Sequence, residues 1–245
     1  MSQGLHDGRV DGSGDGSGLS RRGFIHCAAC AGTAAGAIGT PAMAFAAATG
    51  ARGTEVLKEF PYGAVQLTGG VVKDHYDHIH AHYLALDNDR VLKVFRQQAG
   101  LPAPGPDMGG WYDRDGFVPG LAFGQYMSGL ARIGATTGDK AVHAKVAALV
   151  QGFGEFITKT RNPYAGPKAQ DQWAAYTMDK YVVGLIDAYR LSGVEQAKTL
   201  LPITIEKCRP YISPVSRARI GKVDPPYDEP YVLSENLFHV AEITG

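Results

Sequence analysis

Two stretches of the chain repeat the same pattern 55 positions apart: Tyr126-x-x-Gly129-Leu130 running to Thr137-Gly138, and Tyr181-x-x-Gly184-Leu185 running to Ser192-Gly193. In each, small and apolar residues recur at spacings of three and four, the signature of one face of an α-helix. A Gly closes each helix, and a second helix is expected to begin at Lys140 or Glu195. The repeating unit is therefore a helical hairpin. A third copy starts at Leu233-Ser234-Glu235-Asn236-Leu237 and reaches Thr244-Gly245. A period of about 50 to 55 exceeds that of tetratricopeptide and ankyrin units, and suits helical hairpins stacked or closed into a toroid.

The 245 residues carry 24 basic and 24 acidic side chains, which gives no bias toward nucleic acid or a membrane surface. Residues 1 to 19 are rich in Gly, Ser and Asp and are expected to be disordered. Ser20-Arg21-Arg22-Gly23-Phe24-Ile25 then resembles the twin-arginine export motif, with His26 where Lys is usual. A weakly apolar, Gly-interrupted stretch follows and ends in Ala44-Phe45-Ala46, a small-x-small cleavage site. It is too weakly hydrophobic for a stable membrane span. The expectation is export through the twin-arginine translocase to the periplasm or outside the cell, with residues 1–46 forming the leader. Cys27-x-x-Cys30 falls inside that leader, so a mature chain holds only Cys208 and no intramolecular disulfide.

Residues 47–72 read as a linker with a strand-like or irregular lead-in, broken at Gly69-Gly70, and the helical domain is expected over 73–245. One long helix is expected from Lys73 to Gln98, a Pro- and Gly-rich loop over 101–118, and helices near 119–137, 139–160, 173–192 and 194–208 before the last one. The plan is all-α with about six helices.

Three clusters carry chemistry. In Asp74-His75-Tyr76-Asp77-His78-Ile79-His80-Ala81-His82, the rings of His75, His78 and His82 share one side of a helix, close enough for two to share a metal. Ile79 and Leu86 lie in or next to the same arc, however, and no Cys or Glu stands at ligand spacing, so the rings are expected to line a buried or half-buried face and no metal is assigned. Gly109-Gly110-Trp111-Tyr112-Asp113 lies in a loop, where binding residues concentrate. There Trp111 offers a flat apolar face to a sugar ring, and Asp113 offers a carboxylate to its hydroxyls. The carboxylates available for acid and base roles are Asp113, Asp115, Asp179, Glu229 and Glu235, of which Glu235 also suits the first turn of a helix.

A resemblance extends this reading. Leu84-x-Leu86-Asp87-x-Asp89-Arg90-x-Leu92, Phe95-Arg96, Ala99-Gly100-Leu101 and Gly109-Gly110-Trp111 are followed in order by Ala135-Thr136-Thr137-Gly138-Asp139, Tyr176-Thr177-x-Asp179-Lys180 and Gly184-Leu185-x-Asp187-Ala188-Tyr189. Their order and spacing resemble glycoside hydrolase family 127, the β-L-arabinofuranosidase-like enzymes. The resemblance implies an (α/α)6-barrel, a carbohydrate substrate with a terminal arabinofuranosyl or related sugar, and retention through a zinc-bound Cys nucleophile and a Glu acid/base. It also implies that those catalytic groups and the zinc lie beyond residue 245, so the chain is expected to hold about the N-terminal half of the barrel and to be inactive alone. Gln125 and Asp179 stand where the family carries His residues that resemble substrate contacts. Trp111, Gln125, Asp179 and Glu235 are expected to converge on one concave face. The rival class is a non-catalytic carbohydrate-binding or scaffold protein built on the same toroid.

Overall fold

Gly138 and Gly193, equivalent positions of the repeat, both adopt the left-handed conformation, with φ of 70° and 66°. Only Gly takes that conformation without a Cβ penalty, and there it turns the chain out of a helix whose last carbonyls it caps through its own N–H. The repeat in sequence is thus a repeat in backbone. The computed structural model describes residues 59–166, 169, 173–213 and 228–245, all within the compact unit Val56–Gly245. The leader residues Ser20, Arg21, Arg22 and Phe24, the Ala44 and Ala46 pair, and Cys27 and Cys30 lie outside the described residues.

Seven α-helices are present among the described residues, and no strand. They are α1 (Gly70–Ala85), α2 (Asn88–Gln98), α3 (Phe123–Thr137), α4 (Lys140–Lys159), α5 (Ala174–Ser192), α6 (Glu195–Cys208) and α7 (Leu233–Thr244). Of the two readings of the lead-in, the irregular one is observed over its described residues from 59 on, with a 3-10 turn at Tyr62–Ala64. The long helix expected from Lys73 to Gln98 is corrected to α1 and α2. Leu86 and Asp87 are extended, and the Asp87 carboxylate accepts a hydrogen bond from the Asp89 amide at 2.9 Å, which starts a new helix. Lys145 of α4 holds the break open by donating to the Leu86 carbonyl and to Asn88 Oδ1.

The helices form two layers. In one, α3 and α5 run parallel, since Gly124 near the start of α3 meets Lys180 and Gly184 of α5, while Ser128 and Arg132 bond Asp187 further along both. Helix α7 continues the layer in the same sense: Asn236 meets Asp179 near the starts, and Glu242 meets Arg190 near the ends. In the other layer α2, α4 and α6 are parallel, with Leu92 of α2 against Gly152 and Leu200 of α6 against Gly154. Consecutive helices of a hairpin belong to different layers and run oppositely, the arrangement expected of an (α/α)6 barrel. Helix α1 opposes α3, because Tyr83 meets Tyr126 near the start of α3 and Tyr76 shares a hollow with Thr136 and Thr137 at its end.

Between the layers lies an aromatic core. Phe95 of α2, Phe123 of α3, Phe153 and Phe156 of α4 and Tyr181 of α5 are fully buried. The Phe95 ring lies 4.9 Å from Phe123, 5.0 Å from Phe156 and 5.8 Å from Tyr181, centre to centre, in edge-to-face and tilted contacts that suit aromatic quadrupoles. A polar tie accompanies it. The Asp187 carboxylate accepts from Ser128 Oγ at 2.6 Å and from Arg132 Nε at 2.8 Å, so this buried charge is paired across the α3–α5 contact.

The His face of α1 needs a second correction. Helix α1 buries no residue, and His75, His78, His82 and Ile79 are exposed. The face that packs is the other one, through Tyr76, His80 and Tyr83. His80 Nε2 is 3.1 Å from the Asp139 carboxylate at the start of α4.

Candidate glycan-binding rim

Because α3, α5 and α7 are parallel, their N-terminal ends share one rim, and the loop that carries Trp111 leads into it. That loop is held at several points. Asp113 Oδ2 accepts from the Gly109 amide at 2.9 Å, and Tyr112 Oη donates to the Val91 carbonyl at 2.6 Å, tying the loop to α2. The amides of Val118 and Gly120 return to the Trp111 and Tyr112 carbonyls. A Trp on so fixed a backbone is presented with little entropy left to lose on binding.

From Trp111 a strip of rings crosses the rim. Trp111 is 72% exposed and lies 5.4 Å from Phe117, which lies 6.4 Å from Trp173, which lies 6.1 Å from Tyr176. The Lys180 ammonium sits 4.4 Å above the Tyr176 ring and donates to Asp179 Oδ2 at 2.8 Å. Asn236 of α7 donates to the other oxygen, Oδ1, at 2.7 Å. Asp179 is 3% exposed, and its charge is balanced by one cation and one amide donor. Tyr231, just ahead of α7, is exposed.

The five residues proposed from sequence thus receive different roles. Trp111 opens the strip. Asp179 lies beneath its far end as the anchor of Lys180 and Asn236. Gln125 is exposed in the first turn of α3, next to the Gly124 that rests on the Lys180 carbonyl. Glu235 is exposed in the first turn of α7 beside Asn236. The Asp113 carboxylate braces its own loop. With Gln97, Asp107, Arg114 and Asp115 it lines an open cavity of about 410 Å³. Phe117 and Trp173 lie in none of the motifs read from sequence, and Tyr176, Lys180 and Asn236 lie within such motifs but are not site residues there. The spacing Trp173, Tyr176, Lys180 contains the signal, since residues at i, i+3 and i+7 share a helix face.

Among the described residues no group of three or more His, Cys, Asp or Glu side chains is placed to hold a metal ion. The zinc and Cys nucleophile of the resemblance therefore find no fit there, and Cys208 is buried, its thiol pushed up to about 12 by burial. No helix among the described residues is long and apolar enough to cross a membrane.

No curated protein matches the chain. Residues 64–208, which span α1 to α6 and the whole loop that presents Trp111, match the family described as Beta-L-arabinofuranosidase, GH127 catalytic domain. With more than half its length matched and with the helical layers in place, this chain belongs to the GH127 β-L-arabinofuranosidase-like family.

Proposed function

We propose that the chain supplies the glycan-binding rim of an exported glycoside hydrolase that acts on terminal arabinofuranosyl or related sugars. The observation that carries this reading is the strip from Trp111 through Phe117, Trp173 and Tyr176 to the Lys180–Asp179–Asn236 cluster. Sugar rings present C–H faces that stack on aromatic rings and hydroxyls that need donors and acceptors, and the strip offers both within one surface. Lys180 donates, Gln125 donates and accepts, and Glu235 accepts. Asp179 positions Lys180 and Asn236, because both its oxygens are already engaged.

Trp111→Ala is expected to weaken binding of an arabinan-derived oligosaccharide by about 1 kcal/mol, roughly fivefold in Kd. Titration calorimetry measures it, and an unchanged Kd with native circular dichroism would remove Trp111 from the site. The engagement of Asp179 and Asp113 in fixed bonds favours a second reading, recognition without turnover. Oligosaccharide binding with no sugar released by this chain is its distinguishing result.

Export rests on the Arg21-Arg22 pair, the weakly apolar stretch and the Ala44-Phe45-Ala46 site. Replacing both arginines by Lys is expected to abolish translocation, and the wild-type exported form should begin near Ala47. Export of the double variant at the wild-type level would refute the twin-arginine route.

A further inference from the structure

The first turn of α5 lacks a cap of its own. The residue preceding the helix, Trp173, makes no side-chain capping bond, yet the turn it begins is buried, with Ala174 and Ala175 at 2% and 0% exposure. Free amides in such a place are costly when no acceptor meets them. The acceptor comes from 53 residues further along the chain. Asp228 places Oδ1 2.9 Å and Oδ2 3.1 Å from the Ala175 amide, with the Tyr176 amide next in the same turn. Ala175 and Tyr176 are the second and third residues of the helix, whose amides an N-cap side chain normally serves. Asp228 is thus an N-cap supplied in trans.

Asp228 faces both ways. Its Oδ1 also accepts from the Glu229 amide at 2.9 Å, and Glu229 opens the 3-10 turn Pro230–Val232 that runs directly into α7. One buried carboxylate therefore joins the end of α5 that bears Tyr176, Asp179 and Lys180 to the segment that bears Tyr231, Glu235 and Asn236. Burial raises its pKa even though four backbone amides pull the other way. A neutral side chain with an acceptor in the same place avoids that desolvation.

We propose that Asp228 is a positioning residue of the rim: by capping α5 it sets the start of α7 against α5, so that Asn236 reaches Asp179. This rests on the reading of the rim as the glycan site, and its structural half is measurable without a glycan. Amide hydrogen exchange on the full chain is the first measurement. In Asp228→Ala, exchange at Ala175 and Tyr176 and at the first turn of α7, Glu235 and Asn236, should accelerate together by at least tenfold, while the aromatic core stays protected. Asp228→Asn should restore both sets to within about threefold of wild type. Acceleration confined to Ala175 and Tyr176 would overturn the proposal and leave Asp228 a local cap. If Asp228→Ala does not fold, Asp228→Asn decides by the same criterion: a smaller, joint loss of protection at Tyr176 and Asn236 supports positioning, and loss at Tyr176 alone overturns it. The second measurement is titration with the arabinan-derived oligosaccharide. Asp228→Ala should raise its Kd at least fivefold, and an unchanged Kd beside a mobilised α7 would overturn the link to the site. Wild-type protein that binds no oligosaccharide would instead refute the glycan reading and leave the positioning of α7 to the exchange data.

Discussion

Gly124→Ala should destabilise the protein by about 2 kcal/mol or more, although the same change on an open helix face would stabilise it by about 1 kcal/mol. The difference lies in what a Cβ meets. At Gly124 it would overlap the backbone carbonyl of Lys180, and no rotamer change can withdraw a carbonyl. The reciprocal contact is equally tight: a Cβ on Gly184 would stand 2.8 Å from the Gly124 Cα and 2.9 Å from the Met127 methyl. Helices α3 and α5 must therefore move apart, and the Ser128–Asp187–Arg132 tie lengthens with them. Gly129, one turn along α3, is the control, because its Cβ would rest 3.5 Å from the Tyr83 ring in ordinary contact. Urea denaturation should show opposite signs for Gly124→Ala and Gly129→Ala. Equal effects would mean that the close approach of α3 and α5 is not what holds the layer.

Phe95→Ala should cost about 4 kcal/mol, within the range for a buried aromatic replaced by Ala. Phe95 touches Phe123, Phe153, Phe156 and Tyr181, so its removal opens a cavity bounded by four rings on three other helices. Such rings cannot collapse inward without breaking their mutual contacts, among them the Phe123–Phe153 stack at 5.3 Å. Phe117→Ala supplies the contrast, since that ring is 37% exposed and bridges Trp111 to Trp173 on the rim. It should cost under about 1.5 kcal/mol in the same denaturation experiment while weakening the oligosaccharide complex. A loss below about 2 kcal/mol for Phe95→Ala would show a core that closes around the gap.

Much of this was readable from the chain alone, for identifiable reasons. The hairpin period was visible because Gly138 and Gly193 each end a helix by local conformation, which depends on little beyond the residue itself. The break between α1 and α2 was also local, in Asp87 and its bond to the Asp89 amide, but apolar periodicity passes smoothly across it and conceals it. The exposure of His75, His78 and His82 was not readable, because it depends on which side of α1 meets α3. The carboxylates of Asp179 and Asp113 stand out in sequence by their chemistry and lie where the loops and helix ends gather. That their oxygens are already committed follows from Asn236, 57 positions away, and from the turn at Gly109, neither of which a pattern of residue types records. The role of Asp228 is hidden for the same reason, since the amide it caps, that of Ala175, lies 53 positions earlier.

The parallel course of α3, α5 and α7 has an electrostatic consequence. Each helix carries roughly half a positive elementary charge at its N-terminal end, and parallel helices bring those ends to the same side, where they add instead of cancelling. Asp228 answers this field at α5, and Glu235 answers it in the first turn of α7. The first turn of α3 holds no acidic residue. At the start of α3, beside Gln125, the helix field thus faces solvent with no carboxylate in its own first turn, whereas at α5 the Lys180 charge is paired with Asp179.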